Sequence, residues 1–356
     1  MGTMQSMARS LSCDCFLKAG GPLLDVRSPG EFARGHIPGA HNLPLFSDEE
    51  RAAVGALYAR QGRRAAVRHG LELVGPRLAI LAEQAAALGK AGALGKAGAN
   101  LRLHCWRGGL RSSSTAWLLE TYNLPCILLE GGYKSFRRWL RHALARPLPV
   151  VLLGGHTGSG KTEVLHALGR AGAQVLDLEG LAHHRGSSFG GLGQPRQPTT
   201  EQFENDIAMT LQAVSPHRVL WIEAESVQVG RCRIPPELFR QMEQAPLVEL
   251  QRPEQERLDH LLATYGAMPR AELMEATRRI GKRLGPQRTQ QAVAAIAAGN
   301  LRLACQVILN YYDRTYAHGL ARSPHTPIPL VGAGLSTPAV AQRLLAMEAT
   351  LPGHSL

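Results

Sequence analysis

Short apolar runs alternate with longer amphipathic stretches along most of this chain, a pattern of strands separated by helices. In the first part, Leu23-Leu24-Asp25-Val26-Arg27, Leu101 to Leu103 and Cys126 to Leu129 read as short buried strands. Ser28-Pro29-Gly30 reads as a turn after the first of them. Ser47 with Glu50 three residues on forms a capping box that opens a helix from Asp48 to about Ala66. A second helical pattern runs from Leu71 to Leu88, and a third from Ser112 to Tyr122. Glu130-Gly131-Gly132-Tyr133 turns into a basic helix with Arg137, Arg138, Arg141 and Arg146, and Pro147 and Pro149 mark a boundary.

Beyond that boundary the same alternation resumes. Val150 to Leu153 is a compact apolar strand, Glu163 to Leu168 a helix, Gln174 to Glu179 a second strand, and Arg218 to Ser226 a third that ends in carboxylates. Helical patterns then cover Pro253 to Ala263, Arg270 to Leu284, Gln287 to Ala298 and Leu301 to Tyr312. The predicted organisation is one α/β domain over residues 14–146 and a parallel-sheet α/β domain with a helical C-terminal region over 148–322. A loosely ordered tail, rich in Pro, Ser and Gly, is expected over 323–356. A duplicated hexapeptide, Ala87 to Gly92 and Ala93 to Gly98, reads as a glycine-punctuated loop insertion.

Composition narrows the partners. Forty Lys and Arg against twenty-eight Asp and Glu give a net charge of +12, which points to a polyanion such as RNA or DNA. The six cysteines show no CxxC pair, so a disulfide framework is not expected and a reducing, cytoplasmic setting is. Cys13 and Cys15 form a lone CxC, a weak metal signal. Asp14 and Lys18 interrupt the first apolar stretch, which argues against a secretory signal, and the myristoylation-like start Met1 to Ser6 reads as chance. No run approaches the ~18 apolar residues of a membrane span.

Two stretches carry chemistry. In Leu103-His104-Cys105-Trp106-Arg107-Gly108-Gly109-Leu110-Arg111-Ser112 a cysteine stands between a strand and a helix. Inward-facing amides and the helix dipole at such a turn favour an anion, which favours the thiolate of Cys105, and Arg111 is placed to hold an oxyanion beside it. Gly154-Gly155-His156-Thr157-Gly158-Ser159-Gly160-Lys161-Thr162 satisfies G-x-x-x-x-G-K-[ST] between a strand and a helix. Its amides cradle phosphate, Lys161 neutralises it, and Thr162 can reach a Mg²⁺ ion. His183 to Thr200 is expected to form a mobile loop over the phosphate or RNA site. His183 and His184 lack the further ligands of a metal set. Glu223 stands where a P-loop NTPase normally has an aspartate. The aromatics Tyr311, Tyr312 and Tyr316 either stack bases or cover a core.

Asp25-Val26-Arg27, Glu31-Phe32, Gly35 to Ala40, the cysteine loop and Glu130-Gly131-Gly132 together resemble a rhodanese domain, over roughly residues 14 to 145. Five residues separate Cys105 from Arg111, one more than the usual sulfurtransferase loop, so His104-Cys105-x5-Arg111 also fits a cysteine phosphatase. The fold class is thus a rhodanese-like α/β domain followed by a P-loop NTPase-like α/β domain. With His184 to Gly190 and Trp221-Ile222-Glu223-Ala224-Glu225-Ser226, the combination resembles the tRNA 2-selenouridine synthase family over about residues 14 to 320.

That resemblance implies an enzyme acting on 2-thiouridine at the wobble position of tRNA. Geranyl diphosphate alkylates the sulfur, and selenium from selenophosphate then replaces the geranylthio group. Cys105, as a selenopersulfide, and Arg111 are the implied catalytic residues. Gly155, His156, Thr157, Gly158, Ser159, Gly160, Lys161 and Thr162 are the implied diphosphate site, and Arg137 to Arg146 a guide for tRNA. No tightly bound cofactor and no membrane partner are implied. The competing readings are an ATP-dependent tRNA sulfurtransferase, a cysteine phosphatase with a kinase-like second domain, and a non-enzymatic RNA-binding protein.

Overall fold

A computed structural model describes residues 8–91, 100–321 and 326–351. The myristoylation-like start and most of the duplicated hexapeptide lie outside those residues. The chain divides into two compact units, Met1–Ala143 and Leu144–Leu356.

The first unit is built from β1 (Arg9–Leu11), α1 (Cys13–Lys18), β2 (Leu23–Asp25), α2 (Pro29–Arg34), β3 (Ala40–Asn42) and α3 (Asp48–Val74). It continues through α4 (Leu78–Ala91), β4 (Leu101–His104), α5 (Leu110–Thr121), β5 (Cys126–Leu129) and α6 (Gly132–Ala145). Its sheet has the order β1-β5-β4-β2-β3, with every pairing parallel. A parallel sheet must be covered on both faces, which the buried Leu24, Val26, Leu101 and Leu103 register as near-continuous apolar strands. Ser28-Pro29-Gly30 opens a helix and does not merely turn: Ser28 caps α2, and Glu31 reaches back to its amide at 3.2 Å. The capping box at Ser47 opens α3 as expected, but the helix runs to Val74 across a kink at Gly62, where φ is 79°. Gly75–Arg77 form a 3-10 turn before α4, so the helical pattern from Leu71 is split. The start of the first hexapeptide copy, 87–91, is helix rather than a loop insertion, and its alanines carry α4 on to Ala91.

The second unit opens with β6 (Val150–Gly154), α7 (Lys161–Arg170), β7 (Gln174–Leu176), α8 (Leu178–Ala182), α9 (Thr200–Gln212) and β8 (Leu220–Glu223). A ribbon of β9 (Gln228–Val229) and β10 (Cys232–Arg233) leads to α10 (Pro236–Gln244), β11 (Leu247–Gln251) and α11 (Glu254–Tyr265). Then come α12 (Arg270–Arg279), α13 (Gly281–Leu284), α14 (Pro286–Ala297), α15 (Leu301–Ala321), β12 (Ile328–Val331) and α16 (Thr337–Met347). Its parallel sheet has the order β12-β11-β6-β8-β7. The expected strand from Gln174 to Glu179 stops at Leu176, because Asp177 caps α8 by accepting the Gly180 N–H at 2.6 Å.

The expected loosely ordered tail is a correction of substance. Ile328–Val331 pairs with β11 as the edge strand, and Val340, Ala341 and Leu344 of α16 are buried in the core with Val164, Leu165 and Leu168. Polar and Pro-rich composition around these two short elements hid an apolar face that only a sheet edge completes. The strand β11, between β12 and β6 in the sheet, was also missed. Its run Leu247-Val248-Glu249-Leu250 contains a glutamate that breaks the apolar signal.

Candidate active site

Cys105 follows β4 at the carboxyl edge of the first sheet, where strand order reverses between β2 and β4. Crevices form at such switch points. The loop rests on the first turn of α6: the Tyr133 N–H donates to the Cys105 carbonyl at 2.8 Å and the Lys134 N–H to the Trp106 carbonyl at 3.0 Å. Gly132 has φ of 61°, and a Cβ there would lie 2.3 Å from the Cys105 oxygen and 2.4 Å from the Gly108 nitrogen. The sulfur lies 3.3 Å from Ser112 Oγ, and the Ser112 hydroxyl donates to the Gly109 carbonyl at 3.1 Å. A protonated Cys105 donates to Ser112; an ionised one receives the Ser112 hydroxyl instead. Cys105 keeps only 3% of its surface exposed, while Trp106 and Leu110 on the rim are 38% and 52% exposed. The thiol is therefore at the bottom of the loop, and any reactant has to reach it through the rim.

Beside the cysteine lies a buried polar group that sequence reading reduced to a strand end. Arg27 bonds Asp25 at 2.6 Å and the Gly35 carbonyl at 2.7 Å, and its guanidinium sits 3.8 Å from the Tyr133 ring centre. His104 is fully buried with both ring nitrogens lacking a hydrogen-bond partner. Burial pushes its pKa down to about 4 despite the nearby Asp25 carboxylate, so the ring is neutral at pH 7. Arg111 is not free to face the sulfur as expected. Its fork is held by Glu31 at 2.7 and 3.4 Å. Burial works against the Glu31 charge, but the Arg111 hydrogen bond and charge prevail and hold its pKa below the usual range. The α2 cap that aims Glu31 is the physical reason: it supplies a fixed anion for the guanidinium.

In the second unit, Gly155 to Thr162 wraps the carboxyl end of β6, the strand about which the sheet grows first toward β7 and then toward β12. Gly158 and Gly160 take φ of 79° and 78°, and α7 begins at Lys161. Lys161 Nζ donates to the Gly155 carbonyl at 3.1 Å, across the mouth of the loop. His156 and Ser159 belong to the motif but do not line the cavity over it. His156 turns to Asp313 at 3.0 Å, and Asp313 takes a two-pronged bond from Arg257 at 2.8 Å on each side. Arg257 also holds the Thr157 carbonyl at 3.2 Å. Thr162 Oγ lies 2.7 Å from Glu223 and 3.0 Å from Glu179. Burial, reinforced by Glu179 and Asp177, raises the Glu223 pKa well above the ordinary value, and burial lifts Glu225 to about 8. Among the described residues no three His, Cys, Asp or Glu side chains form a metal site. Thr162 and Glu223 are the residues that could hold a Mg²⁺ ion, which would need phosphate oxygens besides.

A cavity of about 330 Å³ opens over this loop and is chemically two-sided. One side is the glycine loop and polar groups around it, with Lys161, Thr162 and Arg185. The other is apolar, with Leu261 of α11, Leu273 of α12, Ile296 of α14, and Ala304 and Ile308 of α15. The expected loop after His183 does reach this site, and it is anchored there. Phe189 is buried in the helical core, and the Ser188 N–H donates to the Tyr312 hydroxyl at 3.3 Å. Tyr312 and Tyr316 thus face the cavity rather than solvent.

Comparison with known proteins decides the family. The model of the tRNA 2-selenouridine synthase AAA domain matches residues 148–331, and that of the rhodanese-like domain matches residues 12–138. A tRNA 2-selenouridine synthase of Alcanivorax borkumensis is 36% identical over 86% of this chain and 91% of its own length. The chain belongs to the tRNA 2-selenouridine synthase family. The synthase of Shewanella denitrificans is 34% identical over 90% of this chain and 94% of its own. That of Shewanella sediminis is 38% identical over 69% of this chain, which spans 66% of that relative. In this tRNA 2-selenouridine synthase family member, the residues that sequence reading missed are the aliphatic wall of the cavity and the Arg257–Asp313 clamp. Their helical spacing was visible; their facing a common space was not.

Proposed function

We propose that this protein converts wobble 2-thiouridine of tRNA to 2-selenouridine through an S-geranyl intermediate. The two-sided cavity supports this reading most directly. Beside polar groups such as His260, Thr264 and Tyr265, the glycine loop continues into an aliphatic wall long enough to take an apolar tail. Such a site suits a prenyl diphosphate. The thiocarbonyl sulfur attacks carbon 1 of the geranyl group, the carbon–oxygen bond breaks, and the electron pair leaves on diphosphate. Lys161 and the loop amides stabilise that leaving charge. Alkylation turns a poor leaving group at carbon 2 into a good one. Selenophosphate at the Cys105 loop then adds its selenium to that carbon as geranylthiolate departs and takes a proton, and water cleaves the selenium–phosphorus bond to release phosphate. The helix with Arg137, Arg138 and Arg141 offers positive charge to tRNA.

Incubating the protein with 2-thiouridine tRNA, geranyl diphosphate and selenophosphate, then weighing the digested nucleosides, tests the scheme. Lys161→Ala is expected to lower geranylation at least ~100-fold, the scale of losing a stabiliser of leaving-group charge. Cys105→Ala is expected to accumulate the geranylated nucleoside. If ATP is consumed and sulfur rather than selenium is incorporated, the sulfurtransferase reading replaces this one.

A further inference from the structure

The cavity of the second unit has a direction. Leu301, Ala304, Ile308, Tyr312 and Tyr316 of α15 all face it, the spacing of one side of a helix. The Tyr316 ring centre lies 4.6 Å from that of His156, which fixes this end at the phosphate loop. Leu301 stands fifteen positions earlier, ~22 Å along the axis at 1.5 Å per residue. Leu273 of α12 and Ile296 of α14 also line the cavity, and both join Ala304, one turn from Leu301, in one buried cluster. These three side chains keep 6%, 2% and 2% of their surface. The aliphatic end is thus bounded by packed core, not by a flexible rim.

We propose that α15 is a ruler for the prenyl chain and that Ala304, Leu273 and Ile296 form its stop. This rests on the prenyl diphosphate reading above. With the diphosphate held at the glycine loop, each further isoprene unit advances the tail along α15 toward Leu301. A tail that is too long has to overpack a close-packed wall, and one that is too short leaves lining atoms without partners. Small Ala304 leaves room that a larger residue fills.

The test is competition among the five-, ten- and fifteen-carbon prenyl diphosphates, read by mass as the alkyl group on 2-thiouridine in tRNA. Ala304→Phe is expected to shift use from the ten- toward the five-carbon donor by at least about tenfold. Leu273→Ala and Ile296→Ala are expected to shift use toward the fifteen-carbon donor by a similar factor. Ile308→Phe, nearer the glycine loop, is expected to reduce use of every donor. The milder Leu273→Val and Ile296→Val keep the test alive where a larger change unfolds the core, with smaller shifts in the same direction. Variants that still geranylate with the wild-type ratio of donors would overturn the ruler and leave the prenyl reading standing. A wild-type protein that alkylates with none of the three would overturn the prenyl reading itself.

Discussion

Gly132 sets how closely α6 can approach the cysteine loop. Its left-handed backbone costs any other residue about 1–3 kcal/mol before contacts are counted. The added Cβ then meets three backbone atoms of the loop that cannot rotate away. Gly132→Ala is therefore expected to lower the melting temperature of the first unit and to change the alkylation rate of Cys105 by iodoacetamide at least several-fold. Unchanged melting and unchanged thiol reactivity together would contradict the contact. At this scale the sequence was informative about identity and poor on orientation. Cys105, Lys161 and the Glu130-Gly131-Gly132 run were legible because each belongs to a local pattern. For Arg111 the expectation was an oxyanion; the carboxylate that it meets in the structure, Glu31, lies eighty positions away and left no local signal.

The Arg257–Asp313 ion pair links α11 to α15, and both partners reach the glycine loop, through the Thr157 carbonyl and His156. Arg257 is 7% exposed and Asp313 26%, so the pair is largely shielded from solvent. Removing one partner leaves the other charge without compensation. Asp313→Ala is expected to cost about 2–4 kcal/mol in unfolding free energy, below the fully buried figure because Asp313 is partly wet. It is also expected to weaken pyrophosphate binding by calorimetry, since the Thr157 carbonyl and His156 lose their common tether. Unaltered binding would mean that the loop holds its shape unaided. The helical spacing of α15 was readable up to Tyr312, and the structure extends it to Ala321. Strands with interrupted apolar runs were harder: β11 and β12 contain Glu249 and Pro329 and emerge only as neighbours in a sheet.

The two units are expected to respond to acid in opposite senses. In the first, His104 titrates near 4 when folded and near 6.5 when unfolded, so its effect is absent above pH 6.5. Stability is lost as pH falls from 6.5 toward 4, where the unfolded chain binds the extra proton. In the second, burial raises Glu179, Glu223 and Glu225, with Glu225 at about 8. The folded unit then binds more protons than the unfolded chain above pH 4.5, and stability is lost as pH rises toward 8. Glu120 in the first unit is raised and His184 in the second lowered, which blunts both trends without reversing them, as each is less enclosed. Scanning calorimetry in metal-free buffer from pH 7 to 5 is expected to show one transition falling and another rising. Parallel movement of both would contradict the assignment.

The sequence by itself determined which groups are available: a cysteine at the end of one strand, a G-x-x-x-x-G-K-T loop at the end of another, and two α/β units in that order. Each rests on neighbours within about ten residues, and short-range pattern is what one-dimensional reading detects. Tertiary structure alone decided what those groups face. It gave Arg111 a carboxylate, buried the thiol at the foot of its loop, and recruited the supposed tail as a sheet edge. It also joined the glycine loop to an aliphatic wall drawn from four helices. Apolar residues on a helix signal burial, but whether they meet another side chain or a ligand depends on packing among segments distant in the chain.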